Sequence, residues 1–152
     1  MQPSNYIIAG RLKSVEGDSS LPIAAGHRII VNLCSTDGEW ESSSELGERW
    51  EKIKQEYTRW YRSQHKFTIG EVQEINVQSD TCLVNALVYD GDHILDEEAV
   101  TEFADKVGNL AKDYSSSVHI NGTNDDDWGM IETQLVEKII KRGVNVTVYG
   151  KD

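Results

Sequence analysis

The chain has 152 residues, a length that suits one hydrophobic core, and its 38% hydrophobic and 27% charged residues are those of a folded globular protein. No apolar run approaches the roughly 18 residues a membrane span needs, and the start MQPSNYIIAGRLK lacks the regions of a secretory signal, so the expectation is a cytoplasmic protein with no membrane partner. A net charge of −11, from 15 Lys and Arg against 26 Asp and Glu, argues against nucleic acid as a partner, because that affinity comes largely from cations displacing counterions.

Taken in chain order, short apolar and β-branched runs at Tyr6 to Ile8 and Ile29 to Cys34 read as strands. Leu46, Trp50, Ile53, Tyr57 and Trp60 then recur at spacings of 4, 3, 4 and 3, the stripe of a helix facing a core. Two further strands are expected at Val72 to Val77 and Cys82 to Tyr89. A second helix over about 99 to 113 puts Val100, Phe103, Val107 and Leu110 on one side, after an acidic start at Asp96, Glu97 and Glu98. A strand at Val118 to Ile120 precedes a third helix that begins near Trp128 and buries Ile131, Leu135 and Ile139. That helix ends at Lys141, Arg142 and Gly143, ahead of a last strand at Val144 to Tyr149. Helices alternating with strands imply an α/β domain spanning 1–152, with a mixed or parallel sheet covered on both faces.

Ligands of such sheets bind beyond the carboxyl ends of the strands. Two loops qualify: Ser35 to Ser44, after the strand ending at Cys34, and Asn121 to Asp127, after Ile120. The remaining chemistry is sparse. His27, His65, His93 and His119 are too scattered for a zinc site, and no metal ligand set is expected. Cys34 and Cys82 sit inside apolar runs as buried thiols, and no G-x-S-x-G elbow is present, which argues against a covalent nucleophile. Asn85, in a strand that reads as buried, is expected to make structural hydrogen bonds.

In order and spacing, these segments resemble a bacterial and phage branch of the macro-domain family over nearly the whole chain. RIIVNLCSTDGEW at 28–40 is similar to the family's second strand and ligand loop, and ERWEKIKQEYTRWY at 48–61 to the helix after it. FTIGEVQEINV at 67–77 and CLVNALVYDG at 82–91 resemble the next two strands. SVHINGTNDDDWGMIE at 117–132 and VNVTVY at 144–149 resemble the final strand, loop, helix and strand. The resemblance implies a three-layer α/β/α sandwich with a largely parallel mixed sheet, and a cleft for ADP-ribose in which backbone N–H groups of two glycine-rich loops hold the diphosphate.

Gly38 and Trp40 match the first loop, with Glu39, Glu41 and Ser42 where small residues are expected; Gly122 and Trp128 match the second, with Asp125 and Asp126 where small residues are expected. The acid that follows the first strand's glycine in the family, where it contacts adenine, reads as absent, since Gly10 is followed by Arg11. Ligand contacts are expected from Asn32, Ser35, Gly38, Trp40, Asn121, Gly122, Thr123 and Asn124, with Trp40 placed to cover a base or ribose. Asp37 and Asp125 are the candidate catalytic acids; Asp37 equally forms a turn in Ser35-Thr36-Asp37-Gly38, and the run Asp125 to Asp127 first suits the positive end of the last helix. No cofactor is expected, with one exception: magnesium bridging Asp125, Asp126 or Asp127 to phosphate oxygens. The leading expectation is a binder of ADP-ribose or a related nucleotide, with hydrolysis of an ADP-ribosyl or ADP-ribose phosphate group as its reaction if it is an enzyme. The alternative is a non-catalytic module whose acidic cleft takes a basic protein segment or another ligand.

Overall fold

The computed structural model describes residues 9–40, 45–123 and 125–150. In chain order the elements are β1 (Leu12–Glu16), β2 (Arg28–Ser35), α1 (Leu46–Arg49), α2 (Glu51–Ser63), β3 (Val72–Gln78), β4 (Thr81–Tyr89), α3 (Glu97–Tyr114), β5 (Ser117–Asn121), α4 (Trp128–Lys138), a 3-10 turn (Ile140–Arg142) and β6 (Val146–Gly150). The sheet order is β1-β6-β5-β2-β4-β3. Every pair is parallel except β3 with β4, which are joined through a tight turn and run antiparallel. This is the mixed, largely parallel sheet expected from the alternation of elements.

Side-chain alternation along the strands sorts the two faces. Ile29, Val31, Val84, Ala86, Val118, Ile120, Val146 and Val148 form one buried cluster with α3 and α4, into which α3 contributes Val100, Phe103 and Val107 and α4 contributes Ile131 and Leu135. On the opposite face Ile30 and Leu83 pack against Leu46 and Ile53, and Cys34 and Leu87 against Tyr57 and Phe67. The result is three layers.

Two sequence expectations change, one falls outside the described residues, and one strand has no sequence signal. The predicted strand Tyr6 to Ile8 lies outside the described residues, while β1, with sequence LKSVE, forms an edge strand that has no apolar run to announce it. The stripe from Leu46 to Trp60 does bury Leu46, Ile53 and Tyr57, but the helix breaks at Trp50, whose φ of −133° and ψ of 88° end α1 and begin α2. An amphipathic repeat sets which face is buried and carries no information on continuity. The last strand begins at Val146; Val144 is instead a buried support for Gly10, at which a Cβ would strike the Val144 backbone.

Among the described residues no helix lies over β5 and β6 on the α2 side of the sheet. The segment 17–27, which has neither helix nor strand, is hydrogen-bonded there instead, through Asn121, Tyr149, Ser116 and Ser117. None of the described helices is long and apolar enough to cross a membrane.

Candidate functional site

Beyond the carboxyl ends of β2 and β5 an open cleft of about 850 Å³ is lined by Asn32, Ser35, Trp40, Tyr89, His93 and Asn121, among others. A second cleft of about 680 Å³ adjoins it, between β1, β6 and the β5–α4 loop, and is lined by Gly17, Asp18, Asn121, Gly122, Thr123 and Trp128. Asn121, Thr123 and Asp125 belong to both walls, so the two form one extended trough.

The floor of the main cleft is an amide network. Asn32 Nδ2 donates to Asn85 Oδ1 at 3.2 Å and to Cys34 Sγ at 3.3 Å, and Asn85 Nδ2 donates to Gln73 Oε1 at 3.1 Å. Asn85 is therefore structural, as its buried strand position suggested, and Asn32 belongs to the same network while lining the cleft. Burial pushes the Cys34 thiol up to about 12, which keeps it protonated and un-nucleophilic.

The first loop is locked by side-chain bonds. Ser35 Oγ donates to the Asp90 carbonyl at 2.9 Å and accepts the Asp37 N–H at 3.2 Å. Asp37 Oδ1 accepts the Glu39 N–H at 2.8 Å, which makes Asp37 a turn former, and its Oδ2 pairs with His93 Nε2 at 2.6 Å. Gly38 sits at φ +83° with Tyr61 against it, so that a Cβ would come within 2.5 Å of the Tyr61 ring. Trp40 stands edge-on to Tyr57 at 5.8 Å and forms part of the cleft wall rather than a plug. Glu41, Ser42 and Ser44 of this loop lie outside the described residues.

In the second loop, Asn121 Oδ1 accepts the Ser19 N–H at 2.8 Å and its Nδ2 donates to Asp18 Oδ2 at 3.2 Å. The Gly122 N–H donates to the Tyr149 carbonyl at 2.8 Å, and a Cβ at Gly122 would approach Val148 Cγ1 to 2.8 Å. Thr123 Oγ1 accepts the Asp125 N–H at 3.4 Å, and the Asn124 contact falls outside the described residues. Asp127 does precede the first turn of α4, yet its side chain makes no capping bond, and Asp125 is exposed. Both acids line the main cleft, and beyond the burial that mainly pushes the Tyr89 phenol up, their charges raise it further. Glu48 adds a third acid to the wall and Lys54 a cation. Two unit charges about 4 Å apart interact by roughly 1 kcal/mol in water and about 4 kcal/mol at an effective dielectric of 20, so the side on which an anion lies matters. Among the described residues no group of three or more His, Cys, Asp and Glu gathers as a metal cage.

Among the trough residues that escaped the sequence reading, two bear most on the site. The first is Asp18. Among the described residues the glycine that follows the first strand is Gly17, at φ +130°, rather than Gly10, and the residue after it is an acid, Asp18. Gly10 was the wrong reference because β1 is too polar to be seen as a strand. The second is His93, at φ +62° in a turn where Asp90 Oδ1 accepts the N–H groups of Asp92 and Ile94. Its only sequence signal was a turn at the carboxyl end of β4.

A mixed six-stranded sheet between helical layers, with its cleft at the ends of β2 and β5 and a glycine-acid step after the first strand, defines a macro-domain-like α/β protein. A macrodomain protein from Streptomyces coelicolor superposes with a TM-score of 0.86 at 26% identity, covering 91% of this chain and 98% of that one. A Bacteroides thetaiotaomicron protein of unknown function gives the same TM-score and identity over 93% of this chain and 99% of its own. The macrodomain of Mycobacterium tuberculosis DarG, at 16% identity and a TM-score of 0.73 over 92% of this chain and 97% of its own, shares the fold. No protein-family model and no curated protein sequence matches the chain.

Proposed function

We propose that the chain binds ADP-ribose, or a nucleotide of the same class, along the trough. The adenine half lies in the second cleft with its amino group toward Asp18, and the distal ribose lies in the main cleft beside Trp40 and Asn32. The observation that carries this reading is the continuity of the two clefts through Asn121, Thr123 and Asp125, with a carboxylate acceptor at the far end. Gly38 and Gly122 serve this trough by shaping its loops: the Tyr61 ring and Val148 of β6 occupy the space their Cβ atoms would take, which sets the course of the two loops proposed to flank the diphosphate.

Hydrolysis of an ADP-ribosyl or ADP-ribose phosphate group is the reaction this trough would support, through an oriented water rather than a covalent step. Asp37 lines neither cleft and holds the first loop through Glu39 and His93, whereas Asp125, exposed and shared by both clefts, is the carboxylate placed to orient that water. Magnesium bridging Asp125, Asp126 or Asp127 to the phosphates would neutralise charge there, with the phosphates supplying the oxygens that these carboxylates, which form no cage by themselves, do not. The acidic wall of Glu48, Asp125 and Asp127 favours a second reading, recognition of a basic peptide.

Calorimetric titration with ADP-ribose, in parallel with and without magnesium, separates these. Saturable binding without metal supports the trough as described, and binding only with magnesium assigns the aspartates to the ion. No heat at millimolar ligand in either buffer overturns the nucleotide reading and leaves the basic segment.

A further inference from the structure

One face of β5 is polar throughout. Val118 and Ile120 enter the helical core, while Ser117, His119 and Asn121 alternate onto the other face, and each meets the segment 17–27 directly or through one bridging group. Asn121 takes Ser19 and Asp18. His119, fully buried, reaches the segment through Tyr149: the Ile23 N–H donates to the Tyr149 hydroxyl at 2.8 Å, and that hydroxyl lies 2.7 Å from His119 Nδ1. Because the tyrosine oxygen already accepts from Ile23, its own hydrogen is placed to go to Nδ1, and His119 Nε2 then donates to Ser117 Oγ at 2.7 Å. Burial, which holds the imidazole down at about 4, keeps it neutral and able to accept.

This strut bears on the ligand trough through a short, stiff stretch of backbone. Asp18 to Leu21 is a turn closed by the Leu21 N–H to the Asp18 carbonyl at 3.0 Å and by the Ser20 N–H to Asp18 Oδ1 at 2.9 Å. Pro22 then fixes the chain before the Ile23 anchor. With Asn121 holding one end of the turn and Tyr149 the other, the carboxylate of Asp18 has one defined position in the second cleft.

We propose that His119 and Tyr149 are positioning residues for Asp18, and that through it they set a preference for adenine over purines without a 6-amino group; this rests on the ADP-ribose reading above. The test titrates the native chain, Tyr149→Phe, Asp18→Ala and the double variant with ADP-ribose and with inosine diphosphate ribose, in which a carbonyl oxygen replaces the amino group. The native chain is expected to prefer ADP-ribose by about tenfold or more, since a carboxylate placed for a donor rejects an acceptor. Tyr149→Phe, which keeps the ring and its packing, should weaken ADP-ribose about fivefold and leave the inosine ligand unchanged. Asp18→Ala should equalise the two ligands, and the double variant should be no worse than Asp18→Ala, the non-additivity of residues that act through one another. Should Tyr149→Phe melt below the assay temperature, His119→Gln carries the same comparison. A variant that weakens both ligands by one factor, or a native chain that binds both equally, overturns this inference and leaves ADP-ribose binding standing. A native chain that binds neither overturns both.

Discussion

Asn85 has no exposed surface and three side-chain partners: Asn32, Gln73 and the Cys34 thiol. Removing it takes one buried partner each from Asn32 and Gln73 at the base of the cleft, so Asn85→Ala should cost about 2–3 kcal/mol in urea unfolding, with an unchanged m-value. The sequence made this residue legible because a polar side chain in an apolar strand must find partners. The same logic chooses no partner for Ser35, which lines the main cleft while its hydroxyl cross-links the β2 loop to Asp90. Loop hydroxyls have many partners within reach, and only the three-dimensional approach of the β4–α3 turn selects one. His93 was invisible for the same reason: its pairing with Asp37 joins residues from two loops.

At the scale of elements, helices announced themselves best where local signals agreed. For α3, the acidic start and the apolar stripe coincide, and in the structure Asp96 Oδ1 accepts the Ala99 N–H at 2.9 Å as an N-cap. Asp96→Ala should lower stability by about 1 kcal/mol, read as a drop in the urea midpoint, with Asp96→Ser restoring most of it. Strands in the middle of the sheet were equally plain, since β2 and β4 are buried on both faces and read as apolar runs. The edge strand β1 was not, because only Leu12 and Val15 of it are even half-buried, and that omission shifted the glycine-acid step by seven residues, from Gly10 to Gly17. The irregular segment 17–27 had no pattern to read; its shape is imposed by β5 and β6.

For the whole molecule, acid sensitivity follows from His119. Its folded value near 4 lies below the ordinary 6.5, so the unfolded chain takes up a proton that the folded chain refuses. The sign is therefore loss of stability on acidification: full stability above about pH 6.5, falling by roughly 3 kcal/mol as pH drops toward 4, and lost no further through this group below it. Asp80, held below the carboxylate range by Thr81 and Arg28, and Asp105, held down by Arg142, release their contributions only below pH 4, so the window from 6.5 to 4 belongs to His119 among the shifted groups. Urea unfolding across that window, repeated with His119→Asn, should show the slope in the native chain and its removal in the variant. Binding is the more direct question, because a chain of net charge −11 is asked to hold an anion. Nitrogen-15 NMR during ADP-ribose titration settles it residue by residue. Shifts concentrated at Asp18, Gly38, Asn121 and Gly122 and at the Trp40 and Trp128 indoles are the expected result; saturating shifts confined to other surfaces, or none at millimolar ligand, would contradict the assignment of this trough to ADP-ribose.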